Sequence, residues 1–163
     1  MKLLSFRQLP GDDMIRVQPE LFDTGQEIKR LTSGRTDIGA VVSFTGMVRD
    51  FNDGSDVTSL TLEHYPGMTE RELEKIEKEA NSRWDLQASL IVHRFGTMAL
   101  GEPIVLVVTA SAHREQAFDA ASFLMDWLKT KAPFWKQEEN SSGTLDWVKE
   151  RQSDIEAAKR WKD

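Results

Sequence analysis

The run from Thr109 to Lys136, TASAHREQAFDAASFLMDWLKTKAPFWK, constrains this chain more than any other stretch. Ala117, Ala120, Ala121, Leu124 and Leu128 recur at helical spacing and make one apolar face. Ser111 is a plausible N-cap, and Pro133 stops the helix. The charges run against habit. His113 and Arg114 sit in the first turn, where the helix dipole disfavours cations and where an anion would be welcome. Lys129, Lys131 and Lys136 crowd the other end, with Phe134 and Trp135 between the last two. Blander readings stand beside these. The dipole alone explains Lys129 and Lys131, His113 could be a surface histidine, and Phe134 and Trp135 could be core.

The chain has 163 residues, enough for one domain with a proper core, and a formal net charge of −6. That charge argues against non-specific nucleic-acid binding but leaves room for a local basic pocket that holds a small phosphate ester. There is no cysteine, which removes disulfides, thiolate nucleophiles and cysteine-based metal centres. The longest apolar runs, such as 103–110, are too short to span a bilayer, and no signal peptide is visible. A soluble, cytoplasmic protein with no membrane partner is expected.

In chain order, 14–18 alternates as a short strand, and Thr24 to Glu27 matches a capping box before a short amphipathic helix through Ile28 and Leu31. Residues 39–48 read as a buried strand with Gly46 at a bulge, then 49–56 as a polar loop turning at Asp53-Gly54. The strand at 57–65 is expected to pair with 39–48 as a hairpin. Thr69 and Glu72 form a second capping box, with Met68 and Leu73 as a hydrophobic staple, for a helix to about Arg83. Strands at 88–95 and 102–110 flank a turn region and should pair with each other. After Pro133, 138–143 reads as an exposed loop, and 144–161 as a charged helical tail that frays or docks through Trp147 and Trp161. The sum is a single α+β domain over 1–163, with its core at about 14–137.

No motif for zinc, nucleotide or hydrolase chemistry is present: His64, His93 and His113 lie on separate elements, and G-x-S-x-G, P-loop and G-x-G-x-x-G are absent. No metal and no cofactor is expected. Glu63 and His64 would face opposite sides of one strand, so His64 reads as a satisfied, half-buried histidine. What remains is cationic: Arg49, His113, Arg114, Lys129 and Lys136. Such a set suits an anionic substrate, with a lysine for proton transfer or nucleophilic work if neighbouring cations or burial lower its pKa.

Several motifs together are more specific. GAVVSFTGMVRD at 39–50, LEHYPGMTE at 62–70, HRFG at 93–96, and SAHR through LKTKAPFWK at 111–136 resemble the large, catalytic subunit of molybdopterin synthases, over about residues 14–161. The resemblance implies an α/β-hammerhead fold and a homodimer at the centre of a heterotetramer, with a small ubiquitin-like sulfur-carrier subunit at each end. It implies conversion of cyclic pyranopterin monophosphate into molybdopterin, the two dithiolene sulfurs arriving as thiocarboxylates on the C-terminal glycines of the small subunits. Carried over by position, Lys129 is the catalytic lysine, Lys136 its neighbour, and Arg49, His113 and Arg114 bind the pterin phosphate, some of them across the dimer. Arg83, which reads equally as a solvated helix end, and Phe44, which reads more readily as core, are weaker candidates, and Met47 and Lys131 carry no assigned role.

The absence of cysteine fits an enzyme whose sulfur is delivered by a partner. Two rivals remain: a non-catalytic scaffold that binds a ubiquitin-like protein, and a standalone enzyme acting on a phosphate ester. Both lysines buried near an anion site would favour the sulfurtransferase over the scaffold.

Overall fold

The computed structural model describes residues 14–162; the N-terminal segment considered above for a targeting signal lies largely outside them. The elements follow the order β1 (Ile15–Gln18), α1 (Thr24–Thr32), β2 (Ala40–Met47), β3 (Phe51–Asn52), β4 (Ser55–Asp56), β5 (Ser59–His64), α2 (Met68–Arg83), β6 (Leu86–Arg94), β7 (Gly96–Ala99), β8 (Pro103–Ser111), α3 (Arg114–Thr130), β9 (Phe134–Glu139), β10 (Leu145–Val148) and α4 (Gln152–Lys159). This is the expected α+β composition. No helix among the described residues is long and apolar enough to cross a membrane.

Two four-stranded sheets carry the fold, ordered β1-β6-β8-β2 and β10-β9-β5-β7. All pairings are antiparallel except β1 with β6. The central strands β6 and β8 are near-continuous apolar runs because both of their faces are covered. Ile91, Val105 and Val107 face Leu73, Ile76 and Ala80 of α2 and Ala120, Phe123, Leu124 and Leu128 of α3. Their neighbours Leu90, Val92, Leu106 and Val108 point the other way, onto Leu31 and Ile28 of α1. The period of two along each strand thus separates two cores. A third, around Leu60, Leu62, Met98 and Val48, belongs to the second sheet.

The pairing of β6 with β8 is as expected, and so is a break in register at Gly46/Met47 on β2. The hairpin of β2 with β5 is not formed. β2 pairs with β8, and β5 lies between β7 and β9. The run 96–101, expected as a turn region, supplies β7, and the loop 49–56 folds as the β3–β4 ribbon, turning at Asp53 and Gly54 with φ 49° and 83°. The tail is not one helix: 145–148 pairs with β9, which itself runs on to Glu139, and only 152–159 is helical. Trp161 docks between Trp84 and Phe123, while Trp147 stays exposed.

Each expected cap moves by one or two residues. Asp23 caps α1, its Oδ1 accepting from Gln26 N at 2.8 Å, which frees Glu27 for Arg16 and Arg30. At α2 the cap is Gly67, whose N–H donates to Glu70 Oε2 at 2.6 Å; its φ of 81° is one that glycine adopts without strain. Thr69 instead is buried and donates to Tyr65 O at 2.9 Å, and Met68 is too exposed to staple anything. His113, not Ser111, occupies the N-cap position of α3, without a side-chain capping bond; the Ser111 hydroxyl closes β8 by donating to Asp85 O at 2.8 Å.

Candidate active site

The chain reverses after α3 because Pro133 cannot continue a helix, and this turn sends Lys129 and Lys136 to the same place. Lys129 is in the last turn of α3 and Lys136 on β9, and both line a cavity of about 290 Å³. Its floor is apolar, made by Leu60, Leu62, Ile104, Val105 and Leu128. Phe44 and Met47 of β2 also line it, so Phe44 is a cavity residue and not core. Arg49, just past the irregularity in β2, completes the expected trio.

The C-terminal segment adds what sequence reasoning missed. Lys149, Glu150, Arg151 and Asp154 line the same cavity. Five cations therefore face two carboxylates in a chain whose net charge is −6. The local excess of positive charge over an apolar floor suits a small molecule with a ring at one end and an anion at the other. A signal for Arg151 existed in the KER run at 149–151, but in a tail read as charged throughout such a run does not stand out.

Lys129 is exposed at the cavity, not buried as expected. Even so, the protein packed around it removes enough water to hold its pKa below the ordinary lysine value. Repulsion from Lys136 is the next cause, Arg151 and Arg49 add to it, and Asp154 opposes. Lys136 is half-buried and pairs with Glu138 at 3.4 Å. The expected repulsion between the two ammonium groups is present, as the second of several causes.

His93 lines the cavity and is 7 % exposed. Burial pushes its pKa down to about 4, so the ring is neutral at physiological pH. Arg94 is a structural residue: it donates to Glu102 at 3.0 Å and to the carbonyls of Pro19 and Pro103. Arg83 likewise binds Glu79 and the carbonyl of Trp161, and it does not reach the cavity. His64 is half-buried, with Nδ1 3.3 Å from Thr69 Oγ1, as expected.

His113 and Arg114 do not line this cavity; both are exposed at the opposite end of α3, about 22 Å of helix from Lys129. The chain by itself therefore brings together Arg49, Lys129 and Lys136 and leaves the His-Arg pair apart. Among the described residues no group of three or more His, Asp or Glu side chains is arranged to hold a metal ion.

The family model described as MoaE protein matches residues 17–131. The chain belongs to the MoaE family. It is 56% identical over 149 residues to the molybdopterin synthase catalytic subunit of Pseudomonas aeruginosa, an alignment covering 91% of this chain and 99% of the relative. Among solved structures, the molybdopterin biosynthesis MoaE protein of Burkholderia ambifaria superposes with a TM-score of 0.76 at 45% identity, covering 90% of this chain and 96% of that one. Molybdopterin synthase from Staphylococcus aureus gives 0.76 at 30% identity, with 85% and 98% covered.

Proposed function

We infer that the chain is the catalytic subunit of a molybdopterin synthase, a sulfurtransferase that converts cyclic pyranopterin monophosphate to molybdopterin. The observation that carries this for the present chain is Lys129, an amine with a lowered pKa, beside Lys136 and Arg49 over an apolar floor. The sulfur comes from the C-terminal thiocarboxylate of a small ubiquitin-like subunit, two of which flank a homodimer of this chain. The reaction is assigned to the cytoplasm.

In this reading the pterin rings lie on the apolar floor, and Arg49 with Arg151 holds the phosphate by charge-assisted hydrogen bonds. Lys129 is the catalytic amine, since accepting a proton and nucleophilic attack both need the neutral form that loss of surrounding water and Lys136 favour. Lys136 keeps that form populated and contributes its own charge to the substrate. His113 and Arg114, too distant within a protomer, serve the cavity of the other protomer in the dimer.

The test combines the chain with thiocarboxylated small subunit and cyclic pyranopterin monophosphate, for wild type and Lys129→Ala side by side. Dithiolene product from the wild type and almost none from the variant is expected. Equal product would remove Lys129 from the centre of the reaction. Bound small subunit without product from either would favour a scaffold.

A further inference from the structure

Two of the cavity's cations converge on a single uncharged atom. Arg49 follows β2 and Arg151 precedes α4, yet the Nη2 of each donates to Oδ1 of Asn52, Arg49 at 3.5 Å and Arg151 in closer contact. Asn52 is on β3 and is 8 % exposed. Its Nδ2 donates to both carboxylate oxygens of Glu138, at 2.9 and 3.1 Å, and Glu138 in turn pairs with Lys136 at 3.4 Å. A guanidinium only donates and an ionised carboxylate only accepts, so the orientation of the amide is fixed by its neighbours. No other side chain of this size both accepts from the arginines and donates to the glutamate without carrying charge.

We propose that Asn52 is a positioning residue for the anionic end of the substrate, holding Arg49 and Arg151 together on a neutral acceptor. The inference rests on the function proposed above and deepens it. Bringing two guanidinium groups to one point is unfavourable in itself, and a carboxylate there would relieve the repulsion. It would also neutralise the charge that must attract the substrate. An amide dipole aligns both groups and leaves the cavity positive until an anion arrives. Arg151 also meets Asp53 at 3.5 Å, but that carboxylate is 75% exposed and strongly screened. Asn52 is not needed for the ribbon itself, whose backbone pairs Asn52 with Ser55 and turns at Asp53 and Gly54.

The experiment compares wild type, Asn52→Asp and Asn52→Ala in the complex with thiocarboxylated small subunit. Substrate is titrated for kcat and KM, inorganic phosphate binding is followed by phosphorus NMR, and melting temperatures are recorded. For Asn52→Asp, KM is expected to rise about tenfold with kcat within about threefold, and phosphate affinity should weaken in parallel. Asn52→Ala should fall between it and the wild type. Unchanged KM and phosphate affinity in a folded Asn52→Asp would overturn the proposal, as would a loss of kcat alone. If Asn52→Asp melts early, the same criteria are applied to Asn52→Ala. Should the wild type bind phosphate and form no dithiolene, the proposed function fails, and the phosphate affinities still decide the role of Asn52.

Discussion

The imidazole of His93 lies flat on the ring of Phe134, with centroids 3.7 Å apart and planes 16° from parallel. Its Nδ1 is 2.9 Å from the carbonyl of Arg94, which can only accept, so Nδ1 carries the proton and Nε2 the lone pair. Burial is the main reason the ring resists a second proton; the charges of Lys129 and His64 add to it, and the Arg94 carbonyl opposes. The cavity thus has one neutral aromatic wall beside its cations.

This sets a pH window for stability. The pKa of His93 falls from 6.5 to about 4 on folding, so the unfolded chain binds its proton first as pH drops. The stability associated with neutral His93 is complete above pH 6.5 and is lost as pH falls from 6.5 towards 4, on the order of 3 kcal/mol. Glu27 has a lowered pKa, and its contribution is lost only below its unfolded value of 4.5, so the upper part of the window belongs to the histidine. Urea denaturation between pH 7 and 4.5 should show the decline in the wild type and a shallower slope in His93→Gln. Equal slopes would assign it elsewhere.

The amine of Lys129 should respond in opposite directions to two of its charged neighbours. Lys136 lowers its pKa and Asp154 raises it. Removing the positive charge in Lys136→Gln should therefore raise the Lys129 pKa and move the rising limb of the kcat–pH profile to higher pH. Asp154→Asn should move that limb to lower pH. The shift in Lys136→Gln is only partial, because the loss of water to the surrounding protein is the larger cause and persists. Limbs that move together, or not at all, would mean that the titrating group is not Lys129.

What the sequence showed and what it hid divide along physical lines. The apolar periods of α2, α3, β6 and β8 were legible because each of these elements buries a continuous face. The partner of β2 was not, because the choice of β8 over β5 is settled by packing between segments distant in sequence. Caps slipped because Gly67 and Asp23 do the work of the Thr residues beside them. Lys129 and Lys136 were paired only through the family resemblance; the reversal after Pro133 that brings them together is visible in the structure alone. Asn52 was hidden: it sits in a polar stretch that reads as an ordinary loop, and its partners Arg151 and Glu138 come from segments read as a charged helical tail and an exposed loop.

One carboxylate gathers the polar groups at the end of the tail. Asp126 Oδ2 on α3 accepts from Trp161 Nε1 at 2.7 Å and from the Arg160 guanidinium at 2.7 and 3.1 Å. The Trp161 ring stands edge-on to Trp84 and Phe123, each 5.6 Å away, and the backbone carbonyl of Trp161 accepts from Arg83 at 3.1 Å. Just upstream, α4 carries Asp154, and Arg151 stands at its N-cap position, so the latch fixes two residues of the cavity wall. Trp161→Ala should cost about 3 kcal/mol in urea denaturation, and Trp161→Phe, which keeps an aromatic ring and loses the donor, about 1 kcal/mol. Because the damage reaches the cavity through α4, KM for the anionic substrate should also rise in Trp161→Ala. A variant destabilised to that extent with unchanged KM would show that the cavity wall stays in place without its latch.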